Sequence, residues 1–271
     1  MTSALVAGLL PYDSGKTTFA RSLVRELVDR GVDVGISKPI SGISGWYQYD
    51  CVLKSIEHGF LVGEDMYKLH SVAKSSDPIA LEGPVIFLLL PPDPERVGWE
   101  TSIYTSIGFH HQVSVIRVTN PKESKHYYVP LNLRRTTDSL RREVEKFLSV
   151  VDAEPIELRE VEEILVSSRK DADECLNYIN LKHEFTVLES FNNAAAPTAG
   201  SLDVDVVVVV APGKAAVYDG RDYRKAVSVL SSVKEPWKIT TEEVVQLLHP
   251  ATKMELKPKK VEGVLKQIRL I

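Results

Sequence analysis

Along the chain, short stretches that are apolar throughout alternate with longer ones whose apolar positions recur every three or four residues. Ser3–Gly8 is a continuous apolar run that reads as a buried strand, followed by a turn rich in Pro, Asp, Ser and Gly. From Lys16 to Arg30, residues Phe19, Leu23, Val24, Leu27 and Val28 fall on one face at helical spacing, and Gly31 stands where a C-terminal cap belongs. Val32–Ser37 reads as the next strand and ends in Lys38-Pro39. Strand, helix and strand in so short a span predict a βαβ unit with parallel strands and a right-handed crossover.

A Gly/Ser/aromatic loop, Ser41–Tyr49, then precedes two helices near Asp50–His58 and Asp65–Ala73. Val85–Leu90 is too short for periodicity to separate strand from helix, and Pro91, Pro92 and Pro94 stop any helix there. Gln112–Val118 and His126–Leu131 alternate like a hairpin around Asn120-Pro121, and polar helices follow near Thr137–Val151 and Leu158–Asn177. Phe185–Leu188 and Asp205–Ala211 return to buried-strand composition. The second contains valine at every position from Val206 to Val210, as in a central parallel strand covered on both faces. Helices Arg221–Leu230 and Thr241–Leu248 close the pattern, the latter with acidic residues in its first turn. The expected fold is α/β: one domain over 1–271 with a mostly parallel central sheet flanked by helices. Residues 91–183 read as a hairpin and helical elaboration inserted within it.

The chain has 271 residues, 44% of them hydrophobic and 26% charged, which excludes disorder and suits a domain with its own core. A net charge of −4 argues against general polyanion binding and leaves only local patches for nucleic acid. Cys51 and Cys175 form no paired motif, so a reducing, cytoplasmic setting is expected. The apolar runs fall far short of the roughly 20 residues that span a bilayer, so neither a membrane partner nor an export signal is expected.

The sharpest chemical signal is Gly8-Leu-Leu-Pro-Tyr-Asp-Ser-Gly15-Lys16-Thr17-Thr18. Phosphate-binding loops usually place about four residues between the first glycine and Gly-Lys-Ser/Thr. Here six residues separate Gly8 from Gly15, but the second half is intact, after a buried strand and at the start of an amphipathic helix. Asp13, Ser14, Gly15, Lys16, Thr17 and Thr18 are the expected nucleotide-contacting residues. Their backbone N–H groups would face phosphate with the positive end of the helix dipole behind them. Lys16 would reach the β- and γ-phosphates, and the Thr17 hydroxyl would join the Mg²⁺ shell.

With that loop in place, residues 1–50 resemble dethiobiotin synthetase and its relatives among the P-loop proteins, which also have a widened loop. Lys38-Pro39-Ile40 is similar to the family's Lys-Pro-Val type motif, and Asp77-Pro78-Ile-Ala-Leu81-Glu-Gly-Pro84 resembles its Asn-Pro-x-x-Leu-x-x-Pro stretch. The resemblance implies that Asp50 belongs to a metal site. It also implies that Glu189, in Thr186-Val-Leu-Glu189, ends a strand bearing a metal-site glutamate, although the glycines that follow in the family are absent. The similarity covers about 1–90 and 183–235. The loop is also similar to that of archaeal proteins described as predicted P-loop ATPases or GTPases and, over a few residues, to polynucleotide 5′-hydroxyl kinases.

Nucleotide-bound Mg²⁺ typically takes one or two carboxylates, a loop hydroxyl and water, so Thr17, Asp50 and Glu189 are the expected metal residues. Lys16, Lys38 and Glu189 are the expected catalytic residues, with Lys38 a second point charge for the transferring group. Asp50 reads equally as a helix cap, Glu189 also as a solvated strand end, and Lys38 also as a surface lysine. His110-His111 would point to opposite faces of a strand, a poor arrangement for joint metal binding. Arg134-Arg135, Arg141-Arg142 and the basic stretch Lys253–Arg269 read as salt-bridged or solvated segments, with a polyanion patch as the alternative.

The expected cofactors are Mg²⁺ and ATP; GTP is less favoured because Tyr218-Asp219-Gly220-Arg221-Asp222 lacks the lysine of a guanine-reading motif. The resemblance implies ATP-dependent phosphoryl transfer to a small molecule, or activation of a carboxylate, and allows a homodimer across the nucleotide site. An RNA or hydroxyl kinase and a nucleotide-dependent switch with a protein partner are the alternatives.

Overall fold

The computed structural model describes residues 2–100 and 111–257. The chain opens as expected, with strand β1 (Thr2–Gly8), helix α1 (Lys16–Asp29) and strand β2 (Val34–Ser37). It then leaves the first sheet. Pro39 has no N–H to continue a ladder, and the backbone is handed over by two bonds: Lys38 N–H to the Glu82 carbonyl at 2.8 Å and Val85 N–H to the Pro39 carbonyl at 3.3 Å. The next strand, β3 (Ile40–Ser44), pairs instead with β4 (Val85–Leu89) in a second sheet. Part of the expected Ser41–Tyr49 loop is therefore strand.

Between β3 and β4 lie helices α2 (Tyr49–His58), α3 (Glu64–Ala73) and the single turn α4 (Ile79–Glu82). The hairpin β5 (Val113–Thr119) and β6 (Ser124–Tyr128) follows, its second strand ending where Pro130 starts α5 (Pro130–Arg135). Next come α6 (Asp138–Val150), β7 (Ala153–Pro155) and α7 (Glu160–Lys182). The chain returns to the first sheet through β8 (Phe185–Glu189), β9 (Val206–Ala211) and β10 (Lys214–Asp219). It continues through α8 (Gly220–Leu230) and the short α9 (Thr241–Val245) to β11 (Thr252–Glu255).

Among the described residues these strands make two mixed sheets, in the orders β11-β10-β9-β1-β8-β2 and β3-β4-β5-β6-β7. The α/β class holds. The single, mostly parallel central sheet expected from the sequence is corrected: β2, β8, β1 and β9 are parallel, but β10 and β11 run antiparallel to their neighbours. In the second sheet β4–β5 and β5–β6 are antiparallel pairs. That sheet already begins at Ile40, so β5, β6 and β7 complete a layer started by β3 and β4.

The valine run shows why a central strand reads as it does. Val208 and Val210 enter the core beneath α1 with Phe19, Leu23 and Leu27; Val207 and Val209 enter the opposite core with Tyr223 and Val227 of α8. Helix α7 packs on β2 and β8 of the first sheet and on β4 and β5 of the second, which joins the layers. No helix among the described residues is long and apolar enough to cross a membrane.

Candidate functional site

The site is built where β1 hands over to α1. Gly8 ends β1, and a side chain there would put Cβ 2.5 Å from Ser14 Oγ and 2.8 Å from Lys16 Nζ. A side chain at this position would displace Ser14 and Lys16 from where the loop holds them. Two left-handed residues, Asp13 (φ 52°) and Gly15 (φ 90°), then turn the chain under the helix. Gly15 occupies the cap position, no side chain caps α1, and no acid lies in its first turn. The positive end of the helix dipole is thus open toward the loop.

Strand β8 lies beside β1 with Glu189 opposite Val6. The Glu189 side chain is 1% exposed, and its Oε1 accepts two bonds: from the Thr17 hydroxyl at 2.8 Å and from Lys38 Nζ at 2.9 Å. Its Oε2 is buried with no hydrogen-bond partner among the described residues. A buried carboxylate oxygen without a partner is costly and calls for an additional cation or donor. Lys38, buried just past the end of β2, also reaches Asp65 Oδ2 at 2.5 Å, in the first turn of α3. Lys16 donates to the Asn192 carbonyl at 2.7 Å and to Ser14 Oγ at 3.3 Å.

These groups surround a cavity of about 460 Å³, lined by Asp13 to Thr18, Lys38, Asp65, Glu189 and the Phe191-Asn192 turn. Its charges are strongly coupled. Burial works against the Lys38 ammonium, but Glu189 and Asp65 outweigh it and push its pKa up. Burial pulls the Lys16 ammonium below its ordinary value, against the opposing charge of Glu189, and Lys38 adds to the fall. For Asp65 burial favours the neutral acid, but Lys38 prevails and holds the carboxyl below its usual range.

The structure therefore brings together Asp13, Ser14, Gly15, Lys16, Thr17, Thr18, Lys38 and Glu189 in one cavity. Asp50 is not among them. It is exposed in the first turn of α2, where Gln48 holds the cap position, and it lines a separate hollow of about 200 Å³ with Trp46 and Lys54. The second carboxylate at Lys38, beside Glu189, is Asp65, which the sequence reading treated only as the start of a helix. Gly63-Glu64-Asp65 carries the acids that any helix N-terminus favours, so the residue had no separate signal.

Asp77, in the family-like motif, lies outside the cavity; it is buried and bonds His183 Nε2 at 2.6 Å and Lys182. Cys51 and Cys175 are buried free thiols, pushed by burial up to about 11 and about 12. Arg141 is held by Asp138 at 2.9 Å and Glu145 at 3.6 Å, while Arg134 and Arg135 are exposed. His110 and residues 258–271 of the basic stretch lie outside the described residues. A larger hollow, about 570 Å³, opens beside α6 and β7, but no lysine, buried acid or open long-helix N-terminus lines it. Comparison with protein-family models, curated proteins and solved structures returns no match.

Proposed function

We propose that this chain binds a nucleoside triphosphate with Mg²⁺ at the start of α1 and transfers the terminal phosphoryl group to a small molecule. The observation that carries the reading is the meeting of Thr17, Lys38 and Glu189 on one carboxylate oxygen beside Lys16, at an uncapped helix N-terminus. Parallel strands β2-β8-β1-β9, with α1 following β1 and an acid at the end of β8, support a P-loop NTPase arrangement.

In this reading the first turn of α1 and Lys16 hold the β- and γ-phosphates. Thr17, Glu189 and Asp65 hold Mg²⁺, which neutralises charge on the transferring group. The unpartnered Oε2 of Glu189 and the closeness of Thr17 Oγ1 to Glu189 Oε1 fit such an ion. Lys38 provides a second ammonium for charge developing on the γ-phosphate oxygens. ATP is favoured over GTP. The one acidic stretch considered for guanine, around Asp219, is engaged otherwise: Asp219 accepts from the Arg221 and Asp222 N–H groups as the cap of α8. The resemblance to dethiobiotin synthetase makes a carboxylate or carbamate the favoured acceptor.

A second reading, a nucleotide-dependent switch whose site is covered by a protein partner or a second copy, draws on exposed aromatics: Tyr12, which lines the cavity, and Trp46 and Tyr47, which line the neighbouring hollow that shares Gln48 with it. Tyr12 is 75% exposed, Trp46 59% and Tyr47 88%. The test is calorimetric binding of ATP and GTP with and without Mg²⁺, for wild type and Lys16→Ala, followed by an ADP-release screen against pooled metabolites and RNA. Turnover dependent on a small acid supports the transferase reading. Label moving to RNA would favour the kinase alternative, and slow hydrolysis unaffected by any addition would favour the switch. Equal ATP affinity in wild type and Lys16→Ala would overturn the nucleotide site itself.

A further inference from the structure

The buried and half-buried charges of the cavity are matched. Its two ammoniums, Lys16 and Lys38, face its two buried or half-buried acids, Glu189 and Asp65, and each lysine already has acceptors on the protein. Lys38 is the more deeply held, between Asp65 at 2.5 Å and Glu189 at 2.9 Å. Octahedral Mg²⁺ with bonds of about 2.1 Å sets neighbouring oxygens about 3.0 Å apart, so the hydrogen-bonded pair Thr17 Oγ1 and Glu189 Oε1, 2.8 Å apart, could both ligate such an ion with little movement. Glu189 Oε2, buried and unpartnered, provides further capacity for a cation that one ammonium does not use.

We propose that the Lys38 ammonium is a resident stand-in for the divalent cation, held by Asp65 and Glu189 beside the Thr17 hydroxyl until metal and nucleotide displace it toward the phosphate. This rests on the triphosphate reading above. A metal ion drawing on Asp65 and Glu189 would repel the ammonium that now bonds Asp65 Oδ2 and Glu189 Oε1, so metal entry and release of Lys38 are coupled. The displaced ammonium then lies beside the one new anion in the cavity, the triphosphate. The exchange also keeps buried Glu189 and half-buried Asp65 from standing without a counter-charge when no metal is bound.

The experiment measures Mn²⁺ binding by electron paramagnetic resonance on the full chain, with and without a non-hydrolysable ATP analogue. The proteins are wild type, Lys38→Met and, as a control away from the cavity, Asp50→Asn. Without nucleotide, Lys38→Met should bind Mn²⁺ about tenfold or more tightly than wild type, the scale on which metal sites respond to a changed neighbour. Asp50→Asn should match wild type. Removing the ammonium strands Asp65 and Glu189, so Mn²⁺ should also raise the melting temperature of Lys38→Met at concentrations about tenfold lower than those needed for the same shift in wild type without nucleotide. This second readout applies even to a variant that melts early. Equal Mn²⁺ affinity in wild type and Lys38→Met, or no metal rescue of the melting temperature, overturns the exchange. Failure of the triphosphate reading is separately visible: wild type would then bind no analogue with either Mg²⁺ or Mn²⁺, whatever Lys38→Met does with metal alone.

Discussion

Replacing Glu189 with Gln tests the centre of the site, because it removes a charge and keeps the shape. The carboxylate has one oxygen bonded by Thr17 and Lys38 and one buried without a partner. A glutamine carbonyl can still accept both bonds, but they lose the assistance of a negative charge. Its NH₂ replaces the buried oxygen that has no partner among the described residues. Lys38 is not left unpaired, because Asp65 remains 2.5 Å away. The loss should therefore match one charge-assisted hydrogen bond, about 1–3 kcal/mol, and fall below the larger penalty of stranding a buried ion. Urea unfolding at constant slope measures this term. In the liganded protein the same change removes a metal carboxylate, so turnover should fall about a hundredfold or more, the scale set by deleting a single charge-stabilising group. ATP binding in the absence of metal should change little. Unaltered stability together with unaltered metal-dependent turnover would refute both the assigned bonding and the role of Glu189.

Lys16→Ala should keep the fold and lose most triphosphate affinity, since its ammonium is satisfied only by the Asn192 carbonyl and Ser14 Oγ on a loop; calorimetry and circular dichroism separate the two effects. Asp50→Asn should leave metal-dependent nucleotide binding at the wild-type value, and a fall there would return Asp50 to the metal site. Gly220→Ala should prevent stable folding, because its Cβ would lie 1.8 Å from the Val204 carbonyl oxygen, a backbone atom that cannot move aside alone; soluble expression and melting temperature test this. His183 bonds Asp33 at 2.9 Å and Asp77 at 2.6 Å through its two ring nitrogens, and these bonds outweigh burial to raise its pKa. Its stabilising contribution is full below the ordinary histidine value of about 6.5 and is lost as pH rises through the elevated one. The stability gap between wild type and His183→Gln should therefore shrink from pH 6 toward pH 9, and a gap independent of pH would contradict the assignment.

The legible half of this site is the half whose chemistry is local in sequence. Gly15-Lys16-Thr17-Thr18 acts through backbone groups and side chains within one helical turn, so a strand before it and an apolar helical face after it were enough to place it. Glu189 was legible for a related reason: an acid that ends an apolar strand projects at the carboxyl edge of the sheet, where β1 also ends. Of the second sheet only the β5–β6 hairpin was legible, not the separate layer or its start. Its first strand, Ile-Ser-Gly-Ile-Ser, has the small and polar residues of a loop, and its two isoleucines gain meaning only when they meet opposite cores, Ile43 with Leu88 and Val115, Ile40 with Phe87 and Ile116. Burial of Arg117 in β5, its guanidinium over the Phe60 ring and bonded to the Gly83 carbonyl, left no mark in the sequence for the same reason. Asp65 is the instructive case. The family resemblance pointed to Asp50, but the chain changes sheets at Pro39 and spends the intervening residues on β3 and α2. The carboxylate that meets Lys38 is then decided by where α3 starts after that detour, which no spacing from Lys38 encodes. The same sheet change is what buries Lys38, so the feature that hid the site's second acid is also the one that makes its lysine a charged member of the site rather than a surface residue.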